Sequence, residues 1–432
     1  MKALLVTIGS LGDLHPFIAI GLALRAQGHD VLLAVPADHI DKVHGAGLAA
    51  AAILPGFATI CARLGVDEAE AARRVVTQRS FVMEAVILPS LAESTMSLDA
   101  LVGDADVIVG SVFALAAGIV AEKRRLPLVA LNLQPMALFS AFDPPMTPDT
   151  ALMAHAPVGA IGRRWNAALL GMLRTMVRMR YGGAVARVRR AHGLPRIRTT
   201  PLFDPVPAQV ATLCCYSPHL APVQPDAPPG TEAIGFPLFD SEYGASAPLD
   251  PALAAFLDRG PAPIVFTLGS FVVHAPGDFY AEARAAVQAL GRRAILLTGA
   301  TGAHDDAGDI MTLGYAPHSQ LFGRAAAVVH HGGIGTTGQA MRAGVPQLVV
   351  PFFGDQYDNG ARIARLGIGA TIRPAAFHGE AAVAAIRDLL DDAKLAGRAS
   401  AMGAHVQRER AAKGAAERIV ALSRMPSPSA GS

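Results

Sequence analysis

Only three of the 432 residues are cysteine, Cys61, Cys214 and Cys215, too few for a disulfide scaffold. They form no CxxC pair, and the odd count fits a reducing compartment in which cysteines are buried as small hydrophobes. Charge is scarce as well: 17% of the residues are charged, and 37 basic against 35 acidic residues leave a formal net charge of +2. Near-neutrality argues against general nucleic-acid binding. An apolar run of membrane length is also missing. The longest uncharged apolar stretch, 107–121, falls short of the ~20 residues that a spanning helix needs, and Gly110 and Gly118 interrupt it. It reads as a strand followed by a buried helix. The apolar start at 3–8 ends in the turn Gly9-Ser10-Leu11-Gly12, too short for a signal core and without a cleavage site. These absences predict a cytoplasmic protein.

What is abundant is apolar mass, 52% of the chain, with 43 Gly and 31 Pro. That composition excludes intrinsic disorder. The length suits two domains of roughly 200 residues each. Ala3–Ile8 is a β-rich run, Pro16–Gln27 carries apolar residues at helical spacing with Gly28 as a stop, and Val31–Val35 is apolar again. Strand, helix and strand with unbroken apolar strands mark a parallel sheet covered on both faces. Residues 107–110 and 128–131 continue the pattern. Six prolines between Pro218 and Pro237 predict an extended connector. After it the alternation restarts at 264–268, 294–298, 325–330 and 347–351. The expected organisation is an α/β chain: an N-terminal domain at 1–217, a linker at 218–245 and a C-terminal domain at 246–405. A helix at 406–424 should pack back on the first domain, ahead of a disordered tail at 425–432.

Residues 151–200 hold ten arginines and no Lys, Asp or Glu. Leu169, Leu170, Met172, Leu173, Met176 and Val177 lie between them, which predicts a basic amphipathic helix. Two readings stand: a surface that meets anionic lipid or an amphiphilic anionic acceptor, or a solvated helix face balanced by acidic neighbours.

Three segments carry the chemistry. In Val328-Val329-His330-His331-Gly332-Gly333-Ile334-Gly335-Thr336-Thr337-Gly338-Gln339 a buried strand passes through a glycine-rich turn into a helix. Backbone N–H groups and the helix N-terminus there suit a phosphate or diphosphate. No lysine follows the glycines, so it is not a Walker A loop. Adjacent histidines on a strand point to opposite faces, so spacing alone does not make a metal site. Next, Gly354-Asp355-Gln356 follows another apolar strand. Asp355 and Gln356 offer the acceptors and donor that vicinal sugar hydroxyls require, although Asp355 reads equally as a helix N-cap. Finally, Gly9-Ser10-Leu11-Gly12-Asp13-Leu14-His15-Pro16 sets a carboxylate and an imidazole at a helix start. Asp13 is either a cap or a base for an acceptor hydroxyl. The third glycine of a dinucleotide fingerprint is absent, which disfavours an oxidoreductase.

Together these segments resemble family 1 of the nucleotide-sugar-dependent glycosyltransferases along nearly the whole chain. The resemblance implies a GT-B fold, two Rossmann-like doubly wound parallel-sheet domains facing a cleft. Gly12-Asp13-Leu14-His15-Pro16 matches the Gly-Asp-x-x-Pro of its bacterial and sterol branch, with Asp13 as base and His15 in reserve. Ser270, His331, Gly332, Gly333, Gly335 and Thr336 fall in the donor-diphosphate motifs, and Asp355 and Gln356 in the sugar-hydroxyl motif. Tyr315 and Ala316 fall where relatives stack an aromatic on the donor base. Plant-type relatives carry Glu where this chain has Gln339, which favours a dTDP-sugar over a UDP-sugar. They carry Asp where it has Ser111. No metal and no cofactor beyond the nucleotide-sugar is implied. Gly235-Phe236-Pro237-Leu238-Phe239-Asp240, Gly277-Asp278-Phe279-Tyr280 and 296–300 are similar to the rhamnosyltransferases of rhamnolipid synthesis. Those imply a 3-(3-hydroxyalkanoyloxy)alkanoate acceptor, with peripheral inner-membrane contact through the arginines of 163–198. The alternatives are a glucosyltransferase of aromatic, polyketide, terpenoid or sterol acceptors, and a non-catalytic nucleotide-sugar-binding auxiliary protein. Acceptor residues would come from the N-terminal half, among Phe57, Phe81, Met83, Leu138, Phe139 and Phe142, all equally good core residues.

Overall fold

The computed structural model describes residues 1–78, 80–155, 158–241, 249–299 and 305–425. Residues 242–245 of the expected linker and 426–432 of the expected tail lie outside them. The chain divides into two compact units. The first comprises Met1–Asp67, Gln78–Phe239 and the residues from Arg410, the second Glu68–Thr77 and Asp240–Glu409.

In the first unit, strands β1 (Lys2–Val6), β2 (Asp30–Pro36), β3 (Ala49–Leu54), β4 (Val107–Ser111), β5 (Leu128–Asn132), β6 (Gln209–Cys214) and β7 (Thr231–Ala233) form one sheet. Their order is β3-β2-β1-β4-β5-β6-β7, and every pair is parallel. Side chains alternate between faces, so Ala3 and Leu5 join one apolar cluster while Leu4 and Val6 join another. Helix α1 (Leu11–Ala26) covers the first face through Leu14, Phe17, Ile18 and Leu24. Helices α2 (Leu115–Arg124) and α3 (Ala160–Ala191) contribute Ile119, Val120, Tyr181 and Val185 to the second. Each fully buried Leu, Ile or Val contributes ~1.5–3 kcal/mol, so a charge at Leu5, which is 0% exposed, would disrupt the sheet.

The second unit repeats the plan with β8 (Ile264–Thr267), β9 (Ala294–Leu297), β10 (Asp305–Ala307), β11 (Ile310–Leu313), β12 (Ala327–His330), β13 (Gln347–Val349) and β14 (Gly369–Thr371). Their order is β10-β11-β9-β8-β12-β13-β14. Only β10 runs antiparallel among the described strands. Helices α4 (Ile334–Ala343) and α5 (Asp355–Leu366) follow β12 and β13. Helix α6 (Ala411–Leu422) belongs to the first unit and packs on α1 through Ala415, Ala416, Ile419 and Leu422.

Three expectations need correction. Helix α1 starts at Leu11 rather than Pro16, because Ser10 caps it and the Gly9–Asp13 turn is already its first turn. Pro16 therefore stands inside the helix, where it withdraws the N–H that would bond the Gly12 carbonyl. The proline-rich stretch is not all connector, since Thr231–Ala233 adds β7 beside β6. Finally, the apolar residues of the arginine-rich helix do not share one buried face: Leu170 is 1% exposed, whereas Met172 is 65% and Met176 54% exposed.

Candidate functional site

In an open α/β sheet ligands bind beyond the carboxyl ends of the strands, where the strand order reverses. In the first unit that point lies between β1 and β4, whose carboxyl ends are adjacent (Val6 opposite Gly110). Past β1 the chain turns through Gly9, with φ +119°. A Cβ on Gly9 would stand 2.8 Å from Asp13 Cγ, so only glycine lets the carboxylate lie against this turn. Ser10 N–H donates to Asp13 Oδ2 at 3.0 Å and Gly12 N–H to Ser10 Oγ at 3.3 Å, a capping arrangement with Ser10, not Asp13, as the cap. The cap reading of Asp13 therefore holds only in this reciprocal form. Although Asp13 is half-buried as a residue, burial of its carboxyl group pushes the pKa up to about 6, against the lowering effect of the Ser10 hydrogen bonds. Its carboxylate is thus a stronger base than an exposed aspartate, yet still ionised at neutral pH. His15, two residues on, does not share its helix face. The imidazole meets Phe239 edge-on at 5.6 Å. His39 Nε2 lies 2.8 Å from the Gly9 carbonyl and braces the turn from the end of β2.

In the second unit the reversal lies between β8 and β12. His330, the last residue of β12, and His331 directly after it set their rings nearly perpendicular, with centroids 6.4 Å apart. Gly332 N–H donates to His330 Nδ1 at 3.1 Å, so the proton sits on Nε2, 3.0 Å from Gln347 Oε1. His331 turns towards β8. A Cβ on Gly269 would come within 2.5 Å of its Cε1, and one on Gly333 within 3.0 Å. Its ring is thus wedged between two glycine backbones. Burial, reinforced by His330 and His318, lowers its pKa to about 3, so the imidazole is neutral. Its Nδ1 is buried without a hydrogen-bond partner among the described residues, as is Thr337 Oγ1. Gly333, the N-cap of α4, offers no side chain to cap it, so the first N–H groups of the helix have no partner within it.

The loop after β13 joins the same edge. Gly332, with φ +90°, tolerates no Cβ, which would lie 2.7 Å from Val349 Cγ1 and 2.9 Å from the Gln356 carbonyl. Asn359 Nδ2 donates both to the Gly332 carbonyl and to Asp355 Oδ2, each at 2.9 Å. The N-cap of α5 is Gly354, so Asp355 is not the cap, and that alternative falls. Gln356 Oε1 accepts from Phe352 N–H at 2.8 Å and Phe353 N–H at 3.2 Å, which fixes the loop and commits the amide oxygen. Ser270 is exposed after β8, and Gln339 is buried on α4 over Gly335. Tyr315 is half-buried beyond β11, while Ala316 belongs to the core, 1% exposed. The structure thus gathers Ser270, His331, Gly332, Gly333, Gly335, Thr336, Gln339, Asp355 and Gln356 at one sheet edge. Asp13 and His15 lie in the other unit. Asn359 and His39 escaped the sequence reading, as their roles rest on carbonyls 27 and 30 residues away. Among the described residues no cluster of three or more His, Cys, Asp or Glu is disposed to hold a metal ion.

Of the candidate acceptor residues, Phe81, Met83 and Phe139 are buried, and Phe57 is half-buried. Phe139 stacks on Phe203 at 3.8 Å, and Phe142 lies under the Arg163 guanidinium at 5.1 Å. Leu138 lines a cavity of about 110 Å³ on the second face of the first sheet, with Leu115, Val185 and Leu202. Ser111, which ends β4, also lines it, and its Oγ has no partner among the described residues.

Comparison with known proteins agrees with this fold. Residues 301–422 match the family described as erythromycin biosynthesis protein CIII-like, C-terminal domain. The chain is 32% identical over 374 residues to a vancomycin aglycone glucosyltransferase of Amycolatopsis orientalis, covering 85% of each. It is 31% identical over 432 residues to an O-mycaminosyltylonolide 6-deoxyallosyltransferase of Streptomyces fradiae, covering 96% of each. The spinosyn rhamnosyltransferase SpnG complexed with thymidine diphosphate superposes with a TM-score of 0.64 at 20% identity, over 97% of this chain and 100% of that one. A special closeness to rhamnolipid synthesis, expected from three short motifs, is not what these matches show. An enzyme is indicated rather than an auxiliary binder. With two such relatives alike along most of their length, and two parallel-sheet units to match, the chain belongs to the GT-B glycosyltransferases.

Proposed function

We propose that the protein transfers a sugar from a dTDP- or UDP-sugar to a hydroxyl of a natural-product acceptor, with inversion and in a single displacement. The observation that carries this reading is the uncapped start of α4 beside a neutral His331 whose Nδ1 lacks a partner. Such a site meets an anion with fixed donors. Asp13 accepts the proton of the acceptor hydroxyl as its oxygen bonds to the anomeric carbon. The bond from that carbon to the diphosphate oxygen breaks, and the diphosphate leaves with the electron pair. The N–H groups at the start of α4, the Thr336 and Thr337 hydroxyls, Ser270 and His331 stabilise it. Asp355, held by Asn359, and the Gln356 amide hold sugar hydroxyls, and Tyr315 stacks on the base. Gln339 in place of a glutamate, and a relative solved with thymidine diphosphate, favour dTDP over UDP. The natural-product substrates named for the two relatives favour a bulky, partly apolar acceptor. The apolar cavity with its unpartnered Ser111 hydroxyl suits part of such a molecule. Rhamnosyl transfer to a 3-(3-hydroxyalkanoyloxy)alkanoate is the narrower case that the short motifs imply.

The test is a mass-spectrometric screen of dTDP- and UDP-sugars against glycopeptide, macrolide, sterol and hydroxyalkanoate acceptors, with and without a chelator. Product should form at the same rate in both arms. Asp13→Asn should lower kcat by ~10²–10⁴-fold and leave the affinity for the free nucleotide unchanged. Turnover near wild type in that variant would remove Asp13 from the mechanism.

A further inference from the structure

Helix α3 exposes apolar side chains that its packing does not use. Ile161 is 86%, Trp165 52%, Met172 65%, Met176 54% and Met179 75% exposed. At 3.6 residues per turn these five lie within about 60° of one another around the helix axis and run for about 27 Å. Trp165 Nε1–H donates to the Leu152 carbonyl at 2.9 Å, which ties a further residue, 78% exposed, to the start of the stripe. An exposed apolar stripe of this length marks a contact surface.

Charge selects what it contacts. The helix carries no Asp, Glu or Lys. Arg174, Arg180 and Arg189 pair with Asp204, Glu84 and Glu122 of neighbouring elements, which anchor the helix. Arg164, Arg187 and Arg190 are exposed and have no carboxylate partner among the described residues. By helical spacing Arg164 and Arg178 flank one side of the stripe, Arg187 flanks the other, and Arg190 extends it. Apolar residues with a tryptophan, bordered by arginines, form the pattern of a helix lying in a membrane interface. A second copy of the same face would set arginine against arginine with no acid to pair them. No described helix is long and apolar enough to cross a membrane, so the helix would lie on the bilayer rather than span it. We propose that the exposed face of α3 docks on an anionic phospholipid surface, with Ile161, Trp165 and the methionines entering the interface and the unpaired arginines meeting lipid phosphates. This inference is independent of the transferase reading.

Trp165 is the only tryptophan in the chain, so intrinsic fluorescence reports on this face directly. Full-length protein is mixed with vesicles of phosphatidylcholine alone or with one quarter phosphatidylglycerol, and binding is read by flotation and by the Trp165 emission maximum. Flotation with the anionic vesicles and a blue shift are expected, both lost at high salt. The double variant Met172→Glu/Met176→Glu, and separately Arg164→Ala/Arg187→Ala, should weaken binding at least tenfold while keeping the thermal melt and nucleotide affinity of wild type. Absence of flotation, equal binding to both vesicle types, or a dimer in solution that the methionine variant abolishes would overturn the proposal.

Discussion

The Asp13 carboxyl group connects sequence, burial and chemistry in a single side chain. With Asp13 as the proposed base, its pKa of about 6 sets the expected acid limb of the pH profile. kcat/KM should fall tenfold per unit below about pH 6, and His331, neutral down to about 3, should not contribute to that limb. The same shift has a stability sign. A carboxyl pKa raised in the folded state favours folding when protonated, and that contribution is lost as pH rises through about 6. Replacing the charge by Asp13→Asn should therefore raise stability relative to wild type at pH 7.5, by up to ~3 kcal/mol, and the gain should vanish near pH 4. Denaturant melts at the two pH values measure it. Glycines supply a second residue-scale prediction. Gly333→Ala or Gly269→Ala pushes a methyl into the His331 ring, so the nucleotide Kd measured by calorimetry should rise well beyond tenfold. A fold-neutral variant with unchanged Kd would remove His331 from the donor site. Asp13 and His331 were legible in the sequence because glycine turns after apolar runs are local signals. Asn359 was not. Its function depends on a carbonyl in a different loop, and four-residue spacing from Asp355 is the one trace it leaves.

Among the elements, the strands that read correctly are those with unbroken β-branched or leucine runs, such as β1, β4, β8 and β12. Strand β3, with four consecutive alanines, is a strand only because its backbone pairs with β2. Alanine itself prefers helix, so local propensity pointed elsewhere. The short strand β7 was hidden among prolines, and β14 by its length of three residues. Helix α5 shows what an element needs beneath a site. Asp358 and Arg362, 0% and 1% exposed, pair at 2.8 Å one turn apart, and the turn they span carries Asn359, which holds Asp355. Arg362→Met should leave a buried carboxylate poorly compensated and cost ~3–5 kcal/mol, seen as a lower midpoint in urea. Replacing both members by apolar residues of similar volume should recover much of that loss.

For the molecule as a whole, two units with separate apolar clusters imply that a ligand held by one stabilises that one. A nucleotide at a hundred times its Kd contributes ~2.7 kcal/mol. In calorimetry, dTDP should raise the transition of the second unit and leave that of the first in place. The two-sheet plan was legible from length and the restart of alternating strands, whereas the proline-rich stretch lies within the first unit, which runs to Phe239. The return of the chain at Arg410 to the first unit has a consequence for biosynthesis. A ribosome delivers Ala411–Leu422 only after the whole second unit has emerged, yet Ala415, Ala416, Ile419 and Leu422 complete the cluster over α1. The unit that begins first is thus finished last. Until that helix arrives, the part of the α1 face that Ala415, Ala416, Ile419 and Leu422 cover stays exposed on the nascent chain.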